Sequence, residues 1–297
     1  IHCFKQSKSL AYLELDRDMK NNQELQNYLS SITYNDFVNI NINTSEAWVL
    51  TNKKVNTVLE KLNKCPYRLS DVFDKIFQGI ATSKDDVYFL YDCRVINPFE
   101  IEGYSKYLKK NVVIENGLVK PLLKGEDVHR YEPLSSDRFV IFPYDLSNDK
   151  AKLFSEQQIA TLFPKGYLYL KECEDELRGR EKGRFNNDKW FMFGRGQGIN
   201  YGGIPKLLAP EISFGGNFMF DSNGQYYSTT TIYGYIKKED ISISYETLLA
   251  IMNSRLCWWF LKNTGTVLAN GYYRYKPAYL KPMPIPNVSI ETDSAIR

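Results

Sequence analysis

The chain has 297 residues and a formal charge of +3, from 38 Lys+Arg against 35 Asp+Glu; at ~150 residues per domain, that is room for about two domains. No run approaches the ~18 uninterrupted apolar residues of a membrane span, because Asn253, Ser254 and Arg255 break the best stretch at 248–261. The modest net charge excludes a histone-like polycation and leaves a localised basic surface open.

In chain order, residues 23–29 are weakly helical, and Val38, Ile40 and Ile42 alternate with polar residues as in a half-buried strand. Val55, Val58, Leu59 and Leu62 follow at helical spacing among charged residues, predicting an amphipathic linker helix stopped by Pro66. Leu69, Val72, Phe73 and Ile76 predict a second short helix, capped by Ser70 and ended by Gly79. A polar loop at 79–85 leads into a strand at 87–91. Further strands are expected at 112–114, 139–142, 190–193, 206–209, 218–220 and 229–235, with Asn223-Gly224 as a hairpin turn before Tyr227. Helices are expected at 167–178 and at 245–262, the latter long and capped by Ser244. The proline-rich segment 277–286 is expected to be extended on the surface. Short strands mixed with a few helices make the fold class α+β.

The chain offers little catalytic chemistry. GRGQG at 194–198 resembles a nucleotide loop, but INYGGIP at 199–205 cannot form the helix that such a loop requires. NPFE at 97–100 only partly resembles the Asn-Pro-Pro-aromatic tetrad of amino-methyltransferases and reads as a turn. Five scattered cysteines with only His2 and His129 beside them point to reduced thiols in the cytoplasm, without a metal site or a disulfide framework. The opening Ile1-His2-Cys3-Phe4-Lys5 has neither Met nor a signal-peptide layout and reads as the start of a piece of a longer chain.

Base-reading chemistry is concentrated instead. Residues 178–206 carry seven cations against Glu181 and Asp188, a local charge of +5, interleaved with Asn186, Asn187, Gln197 and Trp190. Arginine suits guanine edges, Asn and Gln suit adenine, and lysine suits phosphate. A second cluster, NGYYRYK at 270–276, combines stacking rings with two cations. A solvated charged loop and the edge of an aromatic core remain the alternative readings of the two clusters.

The ordered motifs resemble the TaqI-like C-terminal specificity domain of type II restriction-modification enzymes. LLKGEDVHRY at 122–131 resembles its opening motif. Tyr169, Leu170, Leu177 and Arg180, then PKLLAP at 205–210, DSNGQYY at 221–227, LLAIMNS at 248–254 and YLKPMPIP at 279–286 follow in the family's order. The strongest resemblance covers 120–287. QGIAT at 78–82 is similar to the start of target recognition domains, and Trp48-Val49-Leu50 to the tail that follows a methyltransferase domain.

The resemblance implies a target recognition domain at 67–290, a linker at 51–66 and a connector from an absent methyltransferase domain at 1–50. Its implied partners are double-stranded DNA and the catalytic domain of the same parent chain, with no membrane. The parent is implied to be an adenine-N6 methyltransferase using S-adenosylmethionine, with Mg2+ as well if an endonuclease is attached; no catalytic residue or cofactor is expected in this chain. By residue chemistry, Arg184, Asn186, Asn187, Arg195, Gln197, Tyr272, Tyr273 and Arg274 are expected at base edges or in stacking. Thr82, Ser83, Lys84, Lys124, Arg130, Arg180, Lys182, Lys206 and Lys276 are expected at phosphates. The competing readings are a Tyr-rich carbohydrate- or protein-binding module and a complete DNA-modifying enzyme with degenerate motifs.

Overall fold

The computed structural model describes residues 9–13, 21–41, 53–147 and 150–297. The connector reading of Trp48-Val49-Leu50 therefore lies outside the described residues. Near the N-terminus, helix Asn22–Ser31 and strand Val38–Asn41 form as the patterns predict, and Ser9–Tyr12 adds an antiparallel partner strand that the patterns did not locate. The amphipathic helix expected from Val55, Val58, Leu59 and Leu62 spans Lys53–Leu62, with Val55, Leu59 and Leu62 packed into the core of the second sheet described below.

Two sheets organise the remainder. Tyr227–Ser228, Val119–Leu123, Phe139–Ile141, Phe89–Asn97, Glu100–Ser105 and Lys110–Glu115 lie side by side in a six-stranded sheet. It is mixed: Tyr227–Ser228 runs parallel to Val119–Leu123 and every other pairing is antiparallel. Its core joins Ile101, Ile114, Leu122 and Val140 to Tyr169, Leu170 and Leu177 from the helices behind it. The second sheet is antiparallel, in the order Met219–Asp221, Lys206–Pro210, Ile232–Lys237, Phe73–Gln78. It packs Leu207, Ala209 and Tyr235 against Leu248, Met252, Phe260 and Leu261. Removing such apolar surface from water contributes roughly 25 cal/mol per Å2. Leu123, Val128, Leu208 and Ile232 form a small third cluster drawn from strands of both sheets.

Several elements depart from the sequence pattern, each because a tertiary partner outcompetes local preference. Residues 69–79 make only one helical turn, Leu69–Val72, before Phe73–Gln78 joins the second sheet. Asp85–Tyr88 is a helical turn, and the strand expected at 87–91 begins at Phe89. No strand forms at 190–193, because the Trp190 and Met192 carbonyls accept from the Arg180 guanidinium. Asn223-Gly224 makes a turn but no hairpin. The strands on either side of it belong to different sheets, with Tyr227–Ser228 pairing to Val119–Leu123.

Helix 167–178 divides into Pro164–Glu172 and Glu174–Gly183. The long helix at 245–262 is likewise two, Tyr245–Met252 and Arg255–Thr264. At the break, the Asn253 side chain satisfies both the N–H and the carbonyl of Phe218, and Ser254 caps the second helix. The proline-rich tail is only partly extended. Pro277–Leu280 is a helical turn with proline at its start, and Pro284–Ile285 is buried against Tyr67–Arg68.

The last helix, Ile290–Ile296, is tied back by charge. The Asp293 carboxylate accepts from the Ser244 N–H and hydroxyl, both at 2.8 Å. These bonds hold its pKa well below the usual carboxylate range. A depressed folded-state pKa stabilises above the unfolded value of about 3.9, and that stabilisation is lost as pH falls through the folded pKa. The gap in urea midpoint between the wild type and Asp293→Asn should therefore be largest near neutrality and shrink below about pH 4. A gap independent of pH would contradict this assignment.

Candidate nucleic-acid interface

Where the chain crosses between the sheets, 78–82 runs beside 228–232. The Ile80 N–H donates to the Ser228 carbonyl at 2.8 Å, and the Gly79 N–H to Ile232 at 3.1 Å. A Cβ at Gly79 would collide with the Ser228 and Thr229 carbonyls, so this close approach requires glycine. The 194–198 loop closes over the same crossing. Gly194 and Arg195 donate their N–H groups to Thr82 and Ala81 at 3.0 and 3.1 Å, and the Gln197 amide donates to the Gly79 carbonyl at 3.0 Å.

Next to it stands a strained turn. Glu181, Lys182 and Gly183 are all left-handed (φ 49°, 62° and 84°), as is Ser83 at 61°. Non-glycine residues held this way cost on the order of 1–3 kcal/mol each and persist only where their surroundings hold them. Here the Glu181 carboxylate accepts from the Ser83 hydroxyl at 2.8 Å and pairs with Arg184 at 3.0 Å. Those two donors pull the Glu181 carboxyl below its ordinary range. The result is a braced rim that leaves Arg195 exposed at a cleft of about 390 Å3 lined by residues 80–86 and Thr230.

Three expected phosphate contacts are internal. Arg180 is 5% exposed, and its guanidinium donates to the carbonyls of Leu177, Thr82, Trp190 and Met192 at 2.7–2.9 Å. Lys206 is 1% exposed and donates to Asp221 at 2.6 Å, to Gly202 at 2.7 Å and to Ile204 at 3.1 Å. Burial pulls the Lys206 pKa down, against the raising effect of the Asp221 carboxylate. Thr82 is buried too, with its hydroxyl on Asp85 at 2.5 Å. A count of charges along the sequence cannot separate such cations from solvent-facing ones.

The other expected residues sit as follows. Ser83, Lys182, Arg184, Asn186 and Asn187 are exposed on the rim, and half-buried Lys84 pairs with Glu176 at 2.6 Å. The Asn187 side chain is engaged locally, donating to Arg184 and accepting from the Lys189 N–H. Across the crossing, the LLKGED turn docks through the Gly125 N–H on the Thr231 hydroxyl at 2.9 Å. Lys124 and Thr231 line a second depression, about 290 Å3, shared with Pro210, Glu211 and Ile212. Arg130 is exposed nearby, its N–H 3.5 Å from the Asn217 carboxamide oxygen.

Ile212–Ser213 pairs with Tyr273–Arg274, which brings the 270–276 cluster to this edge with Arg274 3.5 Å from Glu211. Tyr272, Arg274 and Lys276 are exposed. Tyr273 is half-buried, with its ring edge-on to Trp258 at 5.2 Å, and serves packing.

Thr230 lines one depression and Thr231 the other; Arg195 of the first cluster borders the former, and Glu211, paired to Arg274 of the second cluster, borders the latter. Sequence reasoning missed Phe214, Arg255 and Lys262 on the second cluster's side. A signal was available, since residues 247–290 contain five cations and no Asp or Glu. Among the described residues, no group of three or more His, Cys, Asp or Glu is placed to hold a metal. No described helix is long and apolar enough to cross a membrane.

An α+β scaffold that presents cations, amides and rings on exposed loops has the features of a binding domain. The family profile described as the TaqI-like C-terminal specificity domain matches residues 120–285, and the chain belongs to that family. It is similar to the type II methyltransferase M.XhoI of Xanthomonas vasicola, 22% identical over 246 residues, covering 83% of this chain and 40% of that protein. M.BanIII of Aneurinibacillus aneurinilyticus is 22% identical over 250 residues, covering 82% and 40%. M.PaeR7I of Pseudomonas aeruginosa is 22% identical over 244 residues, covering 82% and 38%. The chain thus spans about two fifths of the length of these relatives.

Burial separates structural from solvent-facing cations in a measurable way. Lys206→Met leaves the Asp221 carboxylate buried and unpaired and should cost about 3–5 kcal/mol of unfolding free energy. Arg195→Ala, at an exposed side chain, should change stability by less than about 0.5 kcal/mol. Urea denaturation of the two variants gives the comparison, and similar losses in both would refute the division.

Proposed function

We propose that this chain is the sequence-reading part of a restriction-modification DNA methyltransferase, holding duplex DNA so that the catalytic domain of the same parent chain can reach a flipped base. The supporting observation is that two loop clusters distant in sequence, through Arg195 and through Arg274 on Glu211, border depressions lined by the consecutive residues Thr230 and Thr231. Arg195 stands on the braced rim with Arg184 and Asn186, suited to base edges; Lys182, Lys124, Arg130 and Lys276 suit phosphates. Adenine-N6 as the parent's target and S-adenosylmethionine as its cofactor belong to this same reading, with Mg2+ added where an endonuclease is attached.

Selection from random duplex DNA should yield a preferred site. On that site Arg195→Ala should cost about 1–3 kcal/mol and relax preference at one base position. Equal losses on selected and random DNA would reassign Arg195 to phosphate. Affinity should fall with salt at a log–log slope near −0.9 per phosphate contacted. A flat salt response would overturn the DNA reading and favour a sugar- or protein-binding surface.

A further inference from the structure

Phe214 is 63% exposed at the tip of a loop that is firmly held. The Gly215 carbonyl behind it accepts from the Tyr275 hydroxyl at 2.5 Å and from the Ser213 hydroxyl at 3.0 Å. The Phe214 ring lies 5.8 Å from Trp258 and 5.9 Å, edge-on, from Tyr272. Gly271, left-handed at φ 76°, lies under the ring, where a Cβ would come within 3.4 Å of it. Phe214 and the 44% exposed Tyr272 ring beside it form a contiguous exposed aromatic patch on a braced loop, and such patches mark contact sites.

The surrounding charge selects the partner. Arg255, Trp258 and Lys262 share one face of helix Arg255–Thr264 by their i, i+3, i+7 spacing, with the Lys262 ammonium 5.8 Å from the Trp258 ring centre. Arg255 and Lys262 are exposed, and Arg274 enters from the neighbouring strand. Glu211, facing Arg274 at 3.5 Å, is the one carboxylate paired to this group in the described residues. Rings framed by cations fit a polyanion that also offers flat apolar faces, which describes the bases and phosphates of a nucleic acid.

We infer that Phe214, backed by Trp258 and flanked by Tyr272, is a wedge that stacks on a base at a kinked step of the bound duplex, while Arg255, Lys262 and Arg274 hold the adjoining phosphates. This rests on the DNA reading above and adds a deformation of the DNA that hydrogen-bonding loops would not produce. Proteins that insert an apolar wedge offset the cost of unstacking through the extra contacts that bent DNA provides.

The test uses the chain as it stands and duplexes of the selected sequence, with 2-aminopurine substituted in turn at each position. Wild-type protein should raise the fluorescence at one step, where the probe is unstacked. Phe214→Ala should abolish that rise and weaken binding by about 5- to 100-fold, as expected for one lost aromatic–base stack. Phe214→Trp should restore both, and the exposed position predicts unchanged thermal unfolding in each variant. Arg195→Ala, on the other cluster, should weaken binding yet keep the fluorescence rise once the DNA is saturated. Wild-type affinity and signal in Phe214→Ala would overturn the wedge while leaving the DNA reading intact, and would assign the patch to a protein neighbour. Absence of binding by every form, wild type included, would overturn both.

Discussion

The Arg180 guanidinium is the contact on which the rest of the first cluster depends. Its donors reach the carbonyls of Thr82, Leu177, Trp190 and Met192, joining three chain segments that share no sheet or helix. Hydrogen bonds to a charged group are worth about 1.5–3 kcal/mol, and a buried carbonyl left without a donor costs a comparable amount. That is enough to hold the left-handed turn at 181–183 and to keep 190–193 from extending into a strand. The cation best placed to build the rim is thereby removed from the surface the rim presents. The Lys206–Asp221 pair does the same on the other side, fixing the 202–206 segment to the turn that follows Asp221.

A second constraint follows from how the chain crosses between the sheets. Residues 78–82 and 228–232 run past one another with main-chain hydrogen bonds at a separation that only Gly79 permits. Because both sheets contribute strands to this crossing, loops belonging to either one can reach it. Arg195 arrives from the side of the six-stranded sheet, and Lys124 and Arg274 gather around Glu211 and Thr231. Rigid elements therefore hold the loops that carry Arg195, Lys124 and Arg274 in place.

Much of this was legible beforehand. The strands at 112–114, 139–142 and 206–209 show in the sequence as apolar runs, and helix Lys53–Leu62 shows in its spacing. The ordered motifs from LLKGED to YLKPMPIP carried the family. Local patterns misled wherever a remote partner intervened. Asn253 interrupts one long apolar stripe because its side chain satisfies the Phe218 backbone. Asn223-Gly224 has hairpin chemistry, yet its flanking strands answer to different sheets.

The sequence by itself determined the α+β class, the kinds of side chain available and the two stretches in which cations and aromatics gather, because all of these depend on local composition and order. Only the tertiary structure decided which charges face solvent. Arg180, Lys182 and Arg184 look alike in the sequence, but long-range carbonyl partners bury the first while the other two remain exposed on the rim. Tertiary structure also brought forward Phe214, which the sequence did not single out, since its exposure depends on a loop braced by Tyr275, sixty positions away. The modest net charge of +3 is consequently a poor guide to the surface, for burial and pairing redistribute charge that composition can only count.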